Sequence, residues 1–288
     1  MIYRVFKIIL DNGINDYDEF IHRLTQKYSF LGEVVKNIIK VFLLISFYIM
    51  IAAFSAYFSQ ELRMPNIVGS VILAIICYFV FMGSIERITK VNTILIPVLI
   101  LIIVALVGLN WQGFSDLNSK QISNSLPRSI YTAILYGSYN SITLIPIIIP
   151  LKKYITNKKN ITKVSIMCTS ILIILAICVF VLILKTDIDI NIIELPTVYV
   201  ASQMGKLYRY SYGAVILAAI FTSAISAGYA LLENKADNKK KYKMSAFLLC
   251  GSSVLVSKIG FSQLVNTLYP IFGVLGIIQI FIIMRYKV

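Results

Sequence analysis

Apolar residues run along this chain in long blocks, not in alternation. A bilayer core takes roughly 20 residues of helix to cross. Runs of about that length predict eight spans, at about 38–60, 66–84, 91–109, 128–151, 164–185, 206–232, 243–258 and 264–285. The pattern differs near the start. In "DNGINDYDEFIHRLTQKYSF" (11–30), Ile14, Tyr17, Ile21, Leu24 and Tyr28 recur at spacings of three and four. That stripe predicts one amphipathic helix lying on the membrane surface, with Asp16 and Glu19 suited to cap its start. Trp111, Tyr131, Tyr208 and Tyr286 sit near span ends, as interfacial anchors do.

Composition agrees with the pattern. The chain is 58% hydrophobic and 14% charged, with a mean hydropathy of +0.83, whereas a soluble domain carries roughly a quarter charged residues. The expected class is an all-α polytopic membrane protein embedded in a lipid bilayer. A net charge of +14 raises nucleic acid as a partner. No basic face interleaved with aromatics supports it, so no nucleic acid is expected. The charge instead sorts by connector. The N-terminal segment up to Lys40, 85–90, 152–163, 233–243 and the C-terminus hold 20 of the 27 Lys and Arg. Positive charge collects on the cytoplasmic side, which places both termini there, in a multi-pass bacterial cytoplasmic membrane protein. No signal peptide is visible, since "MIYRVFKIIL" is too short and is interrupted by Arg4 and Lys7.

Candidate chemistry is sparse. Cys77, Cys168, Cys178 and Cys250 lie in apolar runs without metal-ligand spacing and are expected to be buried free thiols. His22 is the only histidine, so no metal site or histidine-based catalytic constellation is expected, and the chain is not read as an enzyme. Away from span ends no span contains Asp, Glu, Lys or Arg, which disfavours a proton relay.

Two polar clusters stand out. In "LYGSYNSITLIPIIIPL" (135–151), Gly137 relaxes the backbone, Ser138 and Asn140 offer side chains that compete with the helical ladder, and Pro146 and Pro150 each remove a donor. This makes 136–140 the best candidate for a helix broken in mid-membrane. Such irregular backbone is tolerated beside a cavity and serves substrate or ion binding in secondary transporters. A merely kinked helix is the alternative. In "AAIFTSAISAGYA" (218–230), Thr222, Ser226 and Tyr229 share one face with Ser223 beside it. Their hydroxyls suit a hard cation such as sodium, and the alternative is a small-residue packing face. The loop "TDIDINIIELPTVYVASQMGK" (186–206), with Asp187, Asp189 and Glu194, reads either as a lid or as a loop packed on the bundle. Carbonyls, hydroxyls, Asn140, Tyr139 and Tyr48 would suit a small neutral or zwitterionic solute.

The segments "YGSYNSITLIPIIIPL", "IIELPTVYVASQMG", "IFTSAISAGYALLE" and "GFSQLVNTLYPIFGVLGIIQIFII" resemble the YkvI-type bacterial membrane proteins of the amino acid–polyamine–organocation superfamily. The resemblance covers essentially the whole chain and is strongest from about residue 130. It implies a LeuT-like fold of inverted repeats, of which the eight spans match the third to tenth helices. The implied organisation is a single membrane domain, 1–288. Residues 1–37 are a truncated helix end plus cytoplasmic linker, 38–127 the remainder of the first repeat, and 128–288 the second repeat. The family's first helix and most of its second have no counterpart here, so the chain looks shortened at its N-terminus. The resemblance further implies substrate binding by Gly137, Ser138, Tyr139 and Asn140, with Tyr48 from the third-helix match. It also implies sodium binding near Thr222, Ser223 and Ser226. The functional expectation is a secondary transporter of a small amino-acid-like solute, sodium being the coupling ion and no other cofactor being expected. The alternative is a non-transporting receptor subunit on the same fold, like the spore-germination permeases.

Overall fold

The computed structural model describes residues 1–14, 17–24, 29–83, 86–109, 126–142, 144–152, 158–184, 193–232 and 238–286. Asp16, Tyr28, Trp111, Asp187 and Asp189, singled out above, lie outside the described residues. All elements among the described residues are helical: α1 (Ile2–Asp11), α2 (Tyr17–Leu24), α3 (Ser29–Leu62), α4 (Asn66–Phe81), α5 (Glu86–Leu109), α6 (Leu126–Ile142), α7 (Leu144–Leu151), α8 (Lys158–Leu184), α9 (Pro196–Gln203), α10 (Lys206–Leu232), α11 (Lys239–Val256) and α12 (Phe261–Arg285). Helix occupies each predicted span, and the fourth holds two segments. Gly32–Leu62, Lys159–Ile183, Lys206–Leu232 and Phe261–Arg285 are long and apolar enough to cross a bilayer, and Asn66–Phe81 and Ile96–Gly108 are shorter apolar helices. The chain is a membrane protein with several apolar helices.

The chain gathers into two compact units, and each draws on both halves of the sequence. One comprises Met1–Phe42, Ser123–Ile173 and Asn266–Val288, the other Leu43–Ile122 and Ile174–Val265. In the first, α1 buries Val5, Phe6, Ile8 and Ile9 in one apolar cluster with Ile145, Ile148 and Ile149 of α7 and Ile283 of α12. The chain then turns. Gly13 adopts a left-handed conformation (φ 68°), the usual way to close a helix. The Asn12 amide donates to the Ile8 carbonyl (2.9 Å). Lys152 Nζ donates to the carbonyls of Gly13 and Ile14 (3.0 and 3.1 Å), a cation placed where the orphan carbonyls of a helix end favour it. The single helix predicted for 11–30 is therefore corrected. Asp11 ends α1, so residues 11–14 do not belong to that helix, while α2 begins at Tyr17, directly after the expected cap position Asp16. Of the predicted stripe, Ile14 and Ile21 are almost fully buried and Leu24 is half-buried.

The second unit holds two apolar clusters. One joins α3, α4, α10 and α11 through Phe47, Ile51, Leu73, Cys77, Phe81, Ile225 and Cys250. The other gathers Tyr57, Leu106, Leu182, Val198 and Tyr212. Gly69 lets α4 touch the α3 backbone, because a methyl there would come within 2.8 Å of Ser55 Cα. At the other end of α4, the hydroxyls of Tyr229 and Tyr242 donate to the carbonyls of Val80 and Phe81 (2.6 and 3.0 Å). Cys77 and Cys250 are buried as expected. Cys178 is half-buried and Cys168 exposed, because α8 turns apolar side chains such as Ile166, Leu172 and Ile173 outward around it.

Candidate functional site

The site is built on α6. Residues 137–140 are helical throughout, which corrects the expected position of the break. Their polar side chains do not compete with the ladder. They attach to it. Ser138 Oγ donates to the Ile134 carbonyl (2.7 Å), Asn140 Nδ2 to the Tyr136 carbonyl (2.7 Å), and Ser141 Oγ to the Ser138 carbonyl (2.6 Å). α6 instead ends at Ile142 and α7 starts at Leu144, while Thr143 lies outside the described residues. Proline chemistry accounts for the shift. Pro146 has no amide hydrogen for the carbonyl four residues earlier, and that carbonyl belongs to Ile142, the last residue of α6.

α12 follows one side of α6 closely. Tyr269, Gly273, Gly276 and Gln279 recur at spacings of four, three and three, so they form one face. A methyl at Gly273 would lie 2.8 Å from Leu135 Cβ, and one at Gly276 would overlap the Ser138 carbonyl. Buried Gln279 donates its side-chain amide to the Ser141 carbonyl (3.3 Å). Leu135, Ser138 and Ser141 thus meet Gly273, Gly276 and Gln279 in order, so the two helices run in the same sense. Carbonyls in the last turn of a helix lack intrahelical donors, and Gln279 supplies one where α6 ends. The rings of Tyr139 and Tyr269 lie with centroids 4.2 Å apart, and Tyr136 meets Tyr139 edge-on at 5.2 Å. Tyr269 and Gln279 were missed by sequence reasoning, although the glycine-spaced stripe that contains them was legible.

The opposite side of α6 is open. Tyr136, Gly137 and Asn140 are exposed, and a methyl at Gly137 would meet nothing within 4 Å. A recess of about 540 Å³ lies along this side, lined by Arg128, Ser129, Thr132, Ala133 and Tyr136. Of the four predicted substrate residues on α6, Ser138 and Tyr139 are buried, whereas Gly137 and Asn140 face outward.

The remaining predicted residues belong to the second unit. Tyr48, half-buried on α3, shares a hydrogen bond with Ser252 of α11 (2.8 Å), so its hydroxyl is engaged between helices. On α10, Thr222 is buried and donates to the Ala219 carbonyl (3.1 Å). Ser226 is exposed and donates to the Thr222 carbonyl (2.8 Å), and Ser223 is exposed beside it. The glycines of this helix are filled: the Tyr57 ring covers Gly213 and the Phe81 ring covers Gly228. Among the described residues no group of His, Cys, Asp and Glu is arranged to hold a metal ion.

The described part of the 186–206 loop packs within the second unit. Glu194 Oε2 accepts from the Ser262 amide (2.8 Å) and hydroxyl (2.9 Å), which places a carboxylate at the start of α12, where the helix dipole favours it. Gln60 accepts from the Leu195 amide (2.9 Å) and donates to its carbonyl (3.2 Å). Val198 and Ala201 are fully buried. Nearby, Arg209 Nε pairs with Glu61 Oε2 at 2.8 Å, and its Nη2 donates to the Glu61 carbonyl (2.6 Å). The Glu61 side chain is only 5% exposed. This ion pair was not foreseen either, since 148 residues separate its partners.

No family model matches the chain, and no solved structure matches it. It is similar to a protein of Bacillus subtilis (strain 168) described as "Uncharacterized membrane protein YkvI". The two are 25% identical over 250 residues, which cover 84% of this chain and 71% of that protein. The chain is thus a membrane protein homologous to a Bacillus membrane protein along most of its length.

Proposed function

We propose that the chain is a secondary transporter, working by alternating access, for a small amino-acid-like solute. The observation that carries this reading is the division of one apolar span into α6 and α7 beside an open polar face bearing Tyr136, Gly137 and Asn140. Split helices offer backbone carbonyls and helix ends to a bound solute or ion. In this reading Gly137, Ser138, Tyr139 and Asn140 form the solute site. Thr222, Ser223 and Ser226 hold sodium as the coupling ion. The eight spans correspond to helices three to ten of a LeuT-like fold, with both termini cytoplasmic.

Uptake of radiolabelled neutral amino acids into proteoliposomes, with and without an inward sodium gradient, tests the proposal. It is measured on this chain and on a version carrying the N-terminal segment of the Bacillus relative. Gradient-dependent accumulation that falls in Asn140→Ala supports transport. Absence of flux in both versions, together with a stoichiometric protein partner on purification, would replace it with a receptor subunit.

A further inference from the structure

Three long helices pass from one compact unit to the other, α3 at 42/43, α8 at 173/174 and α12 at 265/266. Around the first two crossings the sequences "IIKVFLLISF" and "TSILIILAIC" contain neither glycine nor proline. α12 differs. Its internal proline, Pro270, lacks the amide hydrogen that would bond the carbonyl four residues earlier. That carbonyl is Asn266's, the first residue beyond the crossing.

The two parts of α12 are also held separately. The first turn is fixed within its unit by Glu194, whose carboxylate takes both the amide and the hydroxyl of Ser262. From Tyr269 onward the helix is keyed to α6 by the Tyr139 ring, by the glycines at 273 and 276, and by the bond from Gln279 to the Ser141 carbonyl. A continuous helix anchored at both ends, with one ladder bond missing between the anchors, concentrates bending at that bond.

We infer that α12 is a flexible tie, hinged between Asn266 and Pro270, through which the Glu194-held turn and the α6-keyed segment change their relative angle. The hinge does not depend on the identity of any solute, so it stands or falls separately from transport.

Spin labels at Gln263 and Ile277, both exposed, read the angle directly by pulsed electron–electron resonance. The full chain is used in lipid nanodiscs, with its four cysteines replaced by alanine. The labelled positions are 14 residues apart, or about 21 Å along a straight helix. A pair at Ala214 and Ser226 on α10, which contains no proline, serves as the rigid control. The native α12 pair should give a broader distance distribution than the control. Pro270→Ala, which restores the ladder bond, should narrow it to the control width. If the alanine variant does not fold, the native pair decides alone: a broad distribution supports the hinge. A native distribution as narrow as that of α10 overturns it, as does one that Pro270→Ala leaves unchanged.

Discussion

α6 and α10 carry the same kind of sequence, an apolar run interrupted by glycine, serine, threonine and tyrosine, yet they are used in opposite ways. On α10 both glycines have an occupant, while Ser223 and Ser226 stay exposed. Rings cover Gly213 and Gly228, Thr222 turns inward, and Tyr229 reaches the Val80 carbonyl. On α6 the interruptions divide by side. Ser138 and Ser141 lie under α12, whereas Gly137, Tyr136 and Asn140 face open space. Gly137 is thus left unfilled on α6, whereas rings fill both glycines of α10. Where rings fill them, the same letters encode a seam between helices.

Substitutions can break that contrast. The largest effect is expected at the start of α10. Arg209→Ala leaves the Glu61 carboxylate buried without its cation, which costs about 3 kcal/mol in equilibrium unfolding. Adding Glu61→Gln to that variant should recover part of the loss, because the stranded charge is removed. Next comes the occupied side of α6. Gly276→Ala drives a methyl into the Ser138 carbonyl, a backbone atom that cannot rotate away, and should cost about 2 kcal/mol, seen as a lower melting temperature in detergent. The smallest effect belongs to the open side. Gly137→Ala meets no atom and removes a helix-interior glycine, so stability should rise by about 0.5 kcal/mol. Bulky Gly137→Leu should leave stability within that margin while lowering solute uptake. Equal losses of stability from Gly137→Ala and Gly276→Ala would erase the distinction between the two sides.

Much of the helical pattern was legible in the sequence, because runs of about 20 apolar residues have few alternatives in a membrane. The segment predicted at 206–232 coincides with α10. The position of the α6 break was also available, by counting four residues back from Pro146. It was displaced to Gly137 because serine and asparagine were weighed as ladder competitors when they bond back to their own helix. Asn12 and Gly13 form the turn that the apolar stripe obscured. What no local pattern could supply are the pairings of Gln279 with Ser141, Arg209 with Glu61 and Glu194 with Ser262. Each joins residues far apart in the chain, and each partner is an ordinary residue taken alone. Thr222 shows the reverse limit, since periodicity identified its face but packing decided that Thr222 turns inward while Ser226 on the same face stays exposed.

The tyrosine caps on α4 bear on how the protein matches its lipid. Sixteen residues of helix extend about 24 Å, while the hydrocarbon layer is about 30 Å thick. The last carbonyls of a helix lack intrahelical donors. Tyr229 and Tyr242 bring phenolic donors to Val80 and Phe81, so the protein's own hydroxyls satisfy the end of this short apolar helix wherever lipid, not water, surrounds it.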